Sequence, residues 1–253
     1  MKYVALITSI FISSLSYGFE CSKHLPLGEH SSIKIDHLAC HDGFALAYDN
    51  ENKVPVWVAY SITADSVHGL NVKRKNNFRV DPNLSKNNQS KAADYKHSGY
   101  DRGHMAPSAT IDYSRAANDD TFLYSNMAPQ LAGFNRNMFG NKGVWGRLEH
   151  DIRKWVKKRH SLYVVSGTYF SGQESFVGNH VGIPSAFYKI VVDIDKNEAI
   201  AFWLPHEEQT AAKLPSYQVT ISQIENKTGV DFFTGISDQQ QRSLRNQLTY
   251  HNF

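Results

Sequence analysis

Five apolar runs rich in β-branched and aromatic residues limit what this chain can fold into. They cover residues 44–48, 54–63, 162–170, 187–194 and 199–204, and each has the length and composition typical of a β-strand. Between the second and third runs, residues 147–159 place Leu148, Ile152 and Val156 on one side of a predicted helix. Because the strands flank a helical middle without regular alternation, the sequence predicts an α+β fold with a central, mostly antiparallel sheet flanked by helices.

The length and composition of the chain fit one domain. It has 253 residues, of which 41 % are hydrophobic, and the sequence contains no internal repeat, low-complexity tract or flexible linker. Two more helices are predicted at residues 217–226 and 238–248, and the polar stretch 81–99 is predicted to be a surface loop. We therefore expect a single domain over residues 19–253.

Residues 1–18 have the pattern of a secretory signal peptide. Lys2 precedes an apolar run of about a dozen residues, and the small residues Ser16 and Gly18 form a cleavage site. The run is too short to span a bilayer comfortably. We therefore expect removal of residues 1–18, a periplasmic or secreted location, and no membrane segment after cleavage.

Cys21 and Cys40 are the two cysteines of the chain. In an exported protein, an isolated pair so close in sequence is typical of a disulfide bond. Closing a loop of about 20 residues stabilises a fold by on the order of 3 kcal/mol. A pair of free thiols is the alternative, and the sequence alone leaves it open.

Basic residues cluster on both sides of the central part of the chain, and the net charge is +3. The clusters consist of Lys73, Arg74, Lys75 and Arg79, and of Lys154, Lys157, Lys158 and Arg159. Such clusters suit a polyanionic partner, although solvated surface lysines explain the second cluster equally well.

The sequence lacks several common enzyme signatures. His206-Glu207 begins like the zinc-protease motif H-E-x-x-H, but Thr210 stands in place of the second histidine. Neither the nucleophile elbow G-x-S-x-G nor a phosphate-binding P-loop occurs. The sequence therefore gives no support for these hydrolase and nucleotide-binding classes.

One ordered set of polar motifs carries the strongest functional signal. Its centre is Asp101-Arg102-Gly103-His104, and Arg74-x-x-x-Phe78-x-x-Asp81 precedes it. The motifs that follow are Asn126-x-x-Pro129-Gln130, Phe134-Asn135-Arg136 and Trp145-x-x-Leu148-Glu149. Together, over residues 74–153, they resemble the DNA/RNA non-specific endonucleases, which include secreted bacterial nucleases and mitochondrial endonuclease G.

The resemblance implies a ββα-metal (His-Me finger) nuclease and a role for each matching residue. His104 would be the general base, Asn135 the direct ligand of one Mg²⁺, for which Mn²⁺ can substitute, and Glu149 a carboxylate that holds metal-bound waters. Arg74 and Arg102 would bind the scissile phosphate, and Arg102 would also act in catalysis. Asn126 would support the site, and Asp101 would orient the turn.

The chemistry of these residue types agrees with the implied roles. A neutral histidine with a pKa near 6.5 takes a proton from water at about neutral pH, so the rate is expected to fall below that pH. Arginine offers paired donors to phosphate oxygens. Gly103 has no Cβ, which would let a phosphate approach the backbone closely.

Two asparagines compete for the role of metal ligand. Asn135 keeps the family's distance after Asn126, whereas Asn141 keeps the distance before Trp145 and Glu149. We favour Asn135, because the spacing from the upstream motif places the ligand relative to the catalytic histidine. Asn141 remains the alternative.

The sequence therefore predicts an exported, Mg²⁺-dependent endonuclease. It would hydrolyse DNA and RNA without strong sequence preference, since phosphate contacts carry no sequence information, and would leave 5′-phosphate ends. Three alternatives are a phosphodiesterase restricted to one nucleic acid, a nucleic-acid-binding protein without catalysis, and an export-linked structural protein.

Overall fold

The computed structural model of the protein describes residues 21–32, 35–69, 71–136, 143–173, 175–208, 211–248 and 253. The predicted signal peptide and the alternative ligand Asn141 lie outside these residues.

A seven-stranded sheet forms the centre of the described structure. In chain order the strands are β1 (His37–Cys40), β2 (Ala45–Asp49), β3 (Val54–Thr63), β4 (Tyr100–His104), β5 (Met127–Leu131), β6 (Ser161–Tyr169), β7 (Phe176–Val177), β8 (Val181–Gly182), β9 (Ala186–Asp193), β10 (Glu198–Pro205) and β11 (Gln218–Val219). The large sheet has the order β1-β2-β3-β6-β9-β10-β11, and each neighbouring pair is antiparallel. The five strands predicted from the sequence are all present, within a few residues of their predicted ends.

The helices differ from the predictions mainly where they begin. They are α1 (Ala64–His68), α2 (Ala92–Tyr95), α3 (Arg115–Asp120), α4 (Ala132–Asn135), α5 (Val144–Arg159), α6 (Ile221–Thr228) and α7 (Asp238–Arg245). The predicted helix 147–159 starts earlier, at Val144. The helix predicted at 217–226 starts later, because Thr220 caps its N-terminus and the preceding residues pair as β11. The predicted loop 81–99 contains α2.

Alternating side chains of the central strands divide the core into two parts. In β3, Val58 and Tyr60 face a core that also contains Trp145 and Leu148 of α5. Trp57, on the opposite face of β3, packs in a second core with residues of α6 and α7. Helix α5 therefore lies against one face of the sheet, and α6 and α7 lie against the other.

A small hairpin and the helix after it are inserted between two neighbouring strands of the sheet. Strands β4 and β5 pair antiparallel, with His104 opposite Met127. They are followed by α4 and α5, and the whole segment lies between β3 and β6, which pair with each other. The Asp101–His104 motif is therefore a strand and not the turn expected from its sequence.

Two further expectations concern the surface and the N-terminal segment. Cys21 and Cys40 form a disulfide bond, as predicted. Arg159, expected in an exposed basic cluster, is instead buried and lies 2.7 Å from carboxylate oxygens of both Asp193 and Glu198.

Within the described residues, no helix has both the length and the apolar character needed to cross a membrane.

Candidate active site

A cleft of about 1110 Å³ opens beside the β4–β5 hairpin. Side chains from separate parts of the inserted segment line it, among them Arg74, Asp101, Arg102, His104, Asn135 and Glu149. The fold thus brings together all of the predicted site residues except Asn126, although they are far apart in sequence, from Arg74 to Glu149.

His104 ends β4 and is half-buried at the bottom of this cleft. Its carbonyl oxygen accepts a hydrogen bond of 3.2 Å from Trp145 Nε1, and its Nε2 atom is buried without a hydrogen-bond partner among the described residues. Burial, together with the positive charges of Arg74 and Arg102, lowers the pKa of His104 to about 3. The ring is therefore neutral at neutral pH and can accept a proton, with a pKa well below the value expected from sequence.

Two phenyl rings contact His104 and two of the arginines that line the cleft. The Arg102 guanidinium lies 3.8 Å from the Phe78 ring centroid, and that of Arg74 lies 4.9 Å from the Phe122 centroid. The His104 ring contacts both phenyl rings edge-on, at centroid distances of 5.8 and 5.2 Å. This arrangement concentrates two positive charges beside a neutral base. Sequence reasoning missed Phe122, because it belongs to none of the motifs and stands in no periodic pattern.

Asn135 is the last residue of α4, and its amide is fixed by Asp101. Its Nδ2 donates to Asp101 Oδ2 at 3.1 Å, and the same oxygen accepts from Arg136 Nε at 2.8 Å. Among the described residues, the hydrogen bond found for the Asn135 side chain uses its Nδ2 end, and none is found for its oxygen. Asp101 therefore orients Asn135, whereas the sequence suggested that it orients a turn.

His206 fixes the start of the short helix that carries Asn135. Its Nε2 accepts a hydrogen bond of 2.8 Å from the Leu131 N–H, and its Nδ1 donates to Pro184 O at 2.8 Å. The ring also packs against Phe134 and Phe187. A histidine that began a failed protease motif therefore has a structural role next to the site.

Glu149 reaches the cleft from α5. Burial raises the pKa of its carboxyl group, and the positive charges of Lys189, Arg153 and Arg74 act in the opposite direction. Glu149 and Asn135 line the same cleft, and their carboxyl and amide groups carry hard oxygen donors of the kind that Mg²⁺ prefers. Within the described residues no cluster of three or more His, Cys, Asp or Glu side chains could hold a metal.

Asn126 lies behind the cleft, fully buried. Its Oδ1 accepts from Ala106 N at 2.8 Å, and its Nδ2 donates to the carbonyl oxygens of Ala106 and Thr121, each at 2.9 Å. These bonds use both ends of the amide to hold the chain just after His104. Asn126 can thus position the catalytic strand, but it does not reach the cleft.

Gly103 leaves room for a side chain of the neighbouring strand. A Cβ at this position would lie 2.2 Å from atoms of the Gln130 side chain, which is fully buried across the β4–β5 pair. Packing against Gln130 is therefore sufficient to explain the glycine, and a close approach of phosphate stays a prediction.

Comparison with known proteins then decides the family. The model of the DNA/RNA non-specific endonuclease family matches residues 29–239 of the chain. The chain belongs to this family. All of the predicted site residues fall inside the matched segment.

Individual nucleases confirm the relationship over most of the chain. A nuclease of Nostoc sp. is 31 % identical over 245 residues, which cover 90 % of this chain and 86 % of that protein. Nuclease C1 of Cunninghamella echinulata is 32 % identical over 209 residues, covering 76 % and 81 %. Mitochondrial endonuclease G of Homo sapiens is 29 % identical over 227 residues, covering 83 % and 74 %.

A solved structure supports the fold as well as the family. The crystal structure of an EndoG/EndoGI complex matches with a TM-score of 0.75 at 30 % identity, covering 87 % of this chain and 93 % of the other. The fold is thus that of the ββα-metal nucleases, an α+β arrangement around an antiparallel sheet, as predicted.

Proposed function

We propose that this member of the family is an Mg²⁺-dependent endonuclease that hydrolyses phosphodiester bonds in DNA and RNA and leaves 5′-phosphate ends. The observation that supports this most directly is the grouping of a neutral histidine, two ring-supported arginines, an amide oxygen and a carboxylate in one cleft. Each of these groups meets a separate requirement of phosphodiester hydrolysis.

His104 acts as the general base in this proposal. The His104 ring lines the cleft and is unprotonated at neutral pH, so it can take a proton from an attacking water. The hydrogen bond from Trp145 to the His104 carbonyl fixes the backbone from which the ring projects. The base is therefore positioned before substrate binds.

Arg74 and Arg102 bind the phosphate oxygens. Guanidinium groups pair well with phosphate, and the phenyl rings beneath them limit their freedom before binding. Because these residues contact phosphate and not base edges, the proposal predicts little sequence preference.

The oxygen of Asn135 and the carboxylate of Glu149 are the groups that would hold Mg²⁺, with Mn²⁺ as a substitute. A bound divalent cation supplies charge stabilisation to the phosphoryl group and to the leaving oxygen. Asp101 keeps the Asn135 oxygen available by accepting from the nitrogen end of the same amide. With so few protein oxygens the cation would keep most of its waters, which suits Mg²⁺.

Export is a further part of the proposal. The Cys21–Cys40 disulfide supports it, since such bonds persist mainly in oxidising compartments. We propose a periplasmic or secreted location, which fractionation of cells producing the full chain tests directly.

The decisive experiment incubates the purified protein with plasmid DNA and with RNA, in Mg²⁺, in Mn²⁺ and in EDTA. We expect cleavage of both polymers with either metal, none in EDTA, and loss of cleavage without loss of nucleic-acid binding in His104→Ala. His97→Asn, at an exposed histidine outside the cleft, is the matched control. Binding without cleavage by the wild-type protein would favour the non-catalytic alternative.

A further inference from the structure

Asp81 closes the motif that begins with Arg74, but it is not among the residues that line the cleft. Its side chain is buried, and both of its carboxylate oxygens have partners. Oδ2 accepts a hydrogen bond from Ser125 Oγ and lies 2.9 Å from His41 Nε2, and Oδ1 accepts from Asn83 N at 2.9 Å. A buried carboxylate is costly even with partners, and contact with a substrate does not explain this one.

The Asp81 residue is fixed through both its side chain and its backbone. Burial alone raises the pKa of its carboxyl group, but contacts with His41, Ser125 and the Asn83 N–H lower this pKa overall. The group is therefore ionised at neutral pH, and a charged acceptor bonds more strongly to Ser125 than a neutral one. The Gln89 Oε1 atom accepts from Asp81 N at 2.6 Å, and Gln89 Nε2 donates to Asp81 O at 2.9 Å.

The contact between Asp81 and Ser125 extends a parallel pairing between two segments of the chain. Arg79 forms a parallel bridge with Leu123, and its N–H donates to Phe122 O at 3.2 Å. Asp81 follows Arg79 by two residues, and Ser125 follows Leu123 by two residues. The bridge and the side-chain bond therefore fix the same register between the two segments.

The first segment, residues 74–81, carries Arg74 into the cleft. Its guanidinium lies 4.9 Å from the Phe122 ring centroid, and the Phe78 ring lies 5.1 Å from the same centroid. Apart from the bridge at Arg79, these residues belong to no helix or strand. The position of the segment therefore depends on its contacts with the second segment.

The second segment, residues 122–126, holds the chain behind the general base. Ser125 directly precedes Asn126, whose amide bonds to the chain just after His104. The register between the two segments therefore sets the position of Arg74 relative to His104.

We propose that Asp81 is a positioning residue for the nuclease reaction, whose bond to Ser125 fixes Arg74 relative to His104. The proposal rests on the phosphate-binding role proposed above for Arg74. Apolar contacts between the segments would allow small displacements, whereas a hydrogen bond is directional and favours one register. A displacement of about 1 Å in a group that positions the substrate costs up to about 100-fold in rate.

The test uses Ser125→Ala, which removes the hydroxyl and leaves the contact between Asp81 and His41 in place. Its matched control is Thr168→Val, since Thr168 Oγ1 belongs to a buried residue of the central sheet and donates to Pro55 O at 2.8 Å. Tm, kcat and KM are measured with Mg²⁺, and calorimetry gives the Mg²⁺ affinity. The affinity for a DNA duplex is measured in EDTA, where no cleavage is expected.

Ser125→Ala should lower kcat/KM about 10- to 100-fold and weaken DNA binding in EDTA, because Arg74 is displaced. Its Mg²⁺ affinity should match that of the wild type, because Asn135 and Glu149 lie on α4 and α5. Thr168→Val should lower Tm and leave kcat/KM and DNA affinity unchanged. A serine with only a structural role would behave like Thr168.

Arg74→Ala shows whether the effect passes through the arginine. In the Arg74→Ala background, Ser125→Ala should cause little further loss of kcat/KM or of DNA affinity. If Ser125→Ala does not fold, Asp81→Asn replaces it, since this change keeps the size of the side chain and removes the charge that strengthens the bond.

Two results would overturn the proposal. One is wild-type kcat/KM and DNA affinity in a folded Ser125→Ala or Asp81→Asn protein. The other is a loss in Ser125→Ala that adds in full to the loss in Arg74→Ala. If the wild-type protein binds DNA but cleaves neither DNA nor RNA, the proposed function is wrong, and the affinities in EDTA still decide whether Ser125 and Arg74 are coupled. If it does not bind DNA, both proposals are wrong.

Discussion

His104 stays neutral well below pH 6.5 because of its surroundings. Burial and two nearby arginines disfavour the imidazolium, so its pKa falls from the ordinary value of 6.5 to about 3. A lowered pKa means that the base form survives as the pH falls, and is lost only when the pH approaches the lowered value. Burial first, and then the two arginines proposed to bind phosphate, therefore set the lower pH limit expected for this base.

This shift predicts the acidic limb of the pH profile. In wild-type protein, kcat/KM should show no loss of a histidine base near pH 6.5, since kcat/KM reports ionisations of the free enzyme. Arg102→Ala removes one of the positive charges that lower the pKa of His104. The pH at which the rate is lost should therefore rise toward 6.5, and the rate itself should fall because a proposed phosphate-binding group is missing. A wild-type limb at pH 6.5 would contradict the assignment.

The metal ligand gives a second prediction for single residues. Asn135→Ala should abolish Mg²⁺-dependent cleavage and weaken Mg²⁺ binding, because the amide oxygen disappears. Asn141→Ala is the matched control and should cost much less. Calorimetry with Mg²⁺ and a plasmid assay measure both effects, and the reverse order would show that Asn141 is the ligand.

Asp101 can be tested apart from Asn135, the proposed metal ligand whose amide it orients. Asp101→Asn should lower Mg²⁺ affinity about 10- to 100-fold, because the neutral amide accepts less strongly from Asn135. Arg136→Ala removes the other partner of the same carboxylate oxygen. Calorimetry compares the Mg²⁺ affinities of the two variants. If Arg136→Ala lowers the affinity as much as Asp101→Asn does, the Asp101–Arg136 ion pair matters more than the orientation of Asn135.

Among the structural elements, the β4–β5 hairpin is held together by the fit between Gly103 and Gln130. Gly103→Ala should destabilise the protein by about 1–3 kcal/mol, because the buried glutamine has little space to move away. Gln130→Ala in the same chain should recover part of this loss. Urea unfolding measures both, and full stability in Gly103→Ala alone would show that the glutamine can move.

The sequence predicts the main elements and most of the cleft, because both depend on local patterns. Apolar runs mark the central strands, and the spacing of short motifs marks His104, Asn135 and Glu149. The ring contacts of Phe122 and the burial of Lys189 escape prediction, because both depend on neighbours distant in sequence. A single lysine in an apolar run does not show that it faces inward, and only the pairing of β9 with its neighbours decides this.

At the scale of the whole molecule, the disulfide links the N-terminal segment to the edge of the sheet. Cys40 ends β1, and Cys21 precedes a turn whose His24 Nε2 lies 3.0 Å from His41 O. Replacing both cysteines with serine should lower the free energy of unfolding by about 3 kcal/mol, because the unfolded chain regains freedom. Denaturant titration measures this, and an unchanged midpoint would show that packing alone holds the segment.

The insertion of the site between β3 and β6 also affects the order of folding. These neighbouring strands join Thr63 to Ser161, so their pairing closes a loop of about 100 residues, which costs about 4 kcal/mol of chain entropy. Contacts of such long range form late and slowly. A chain synthesised only as far as Glu149 holds every group proposed for catalysis but lacks the rest of α5 and the strands β6 and β9. We therefore expect activity only after the C-terminal half of the sheet has been made and has closed.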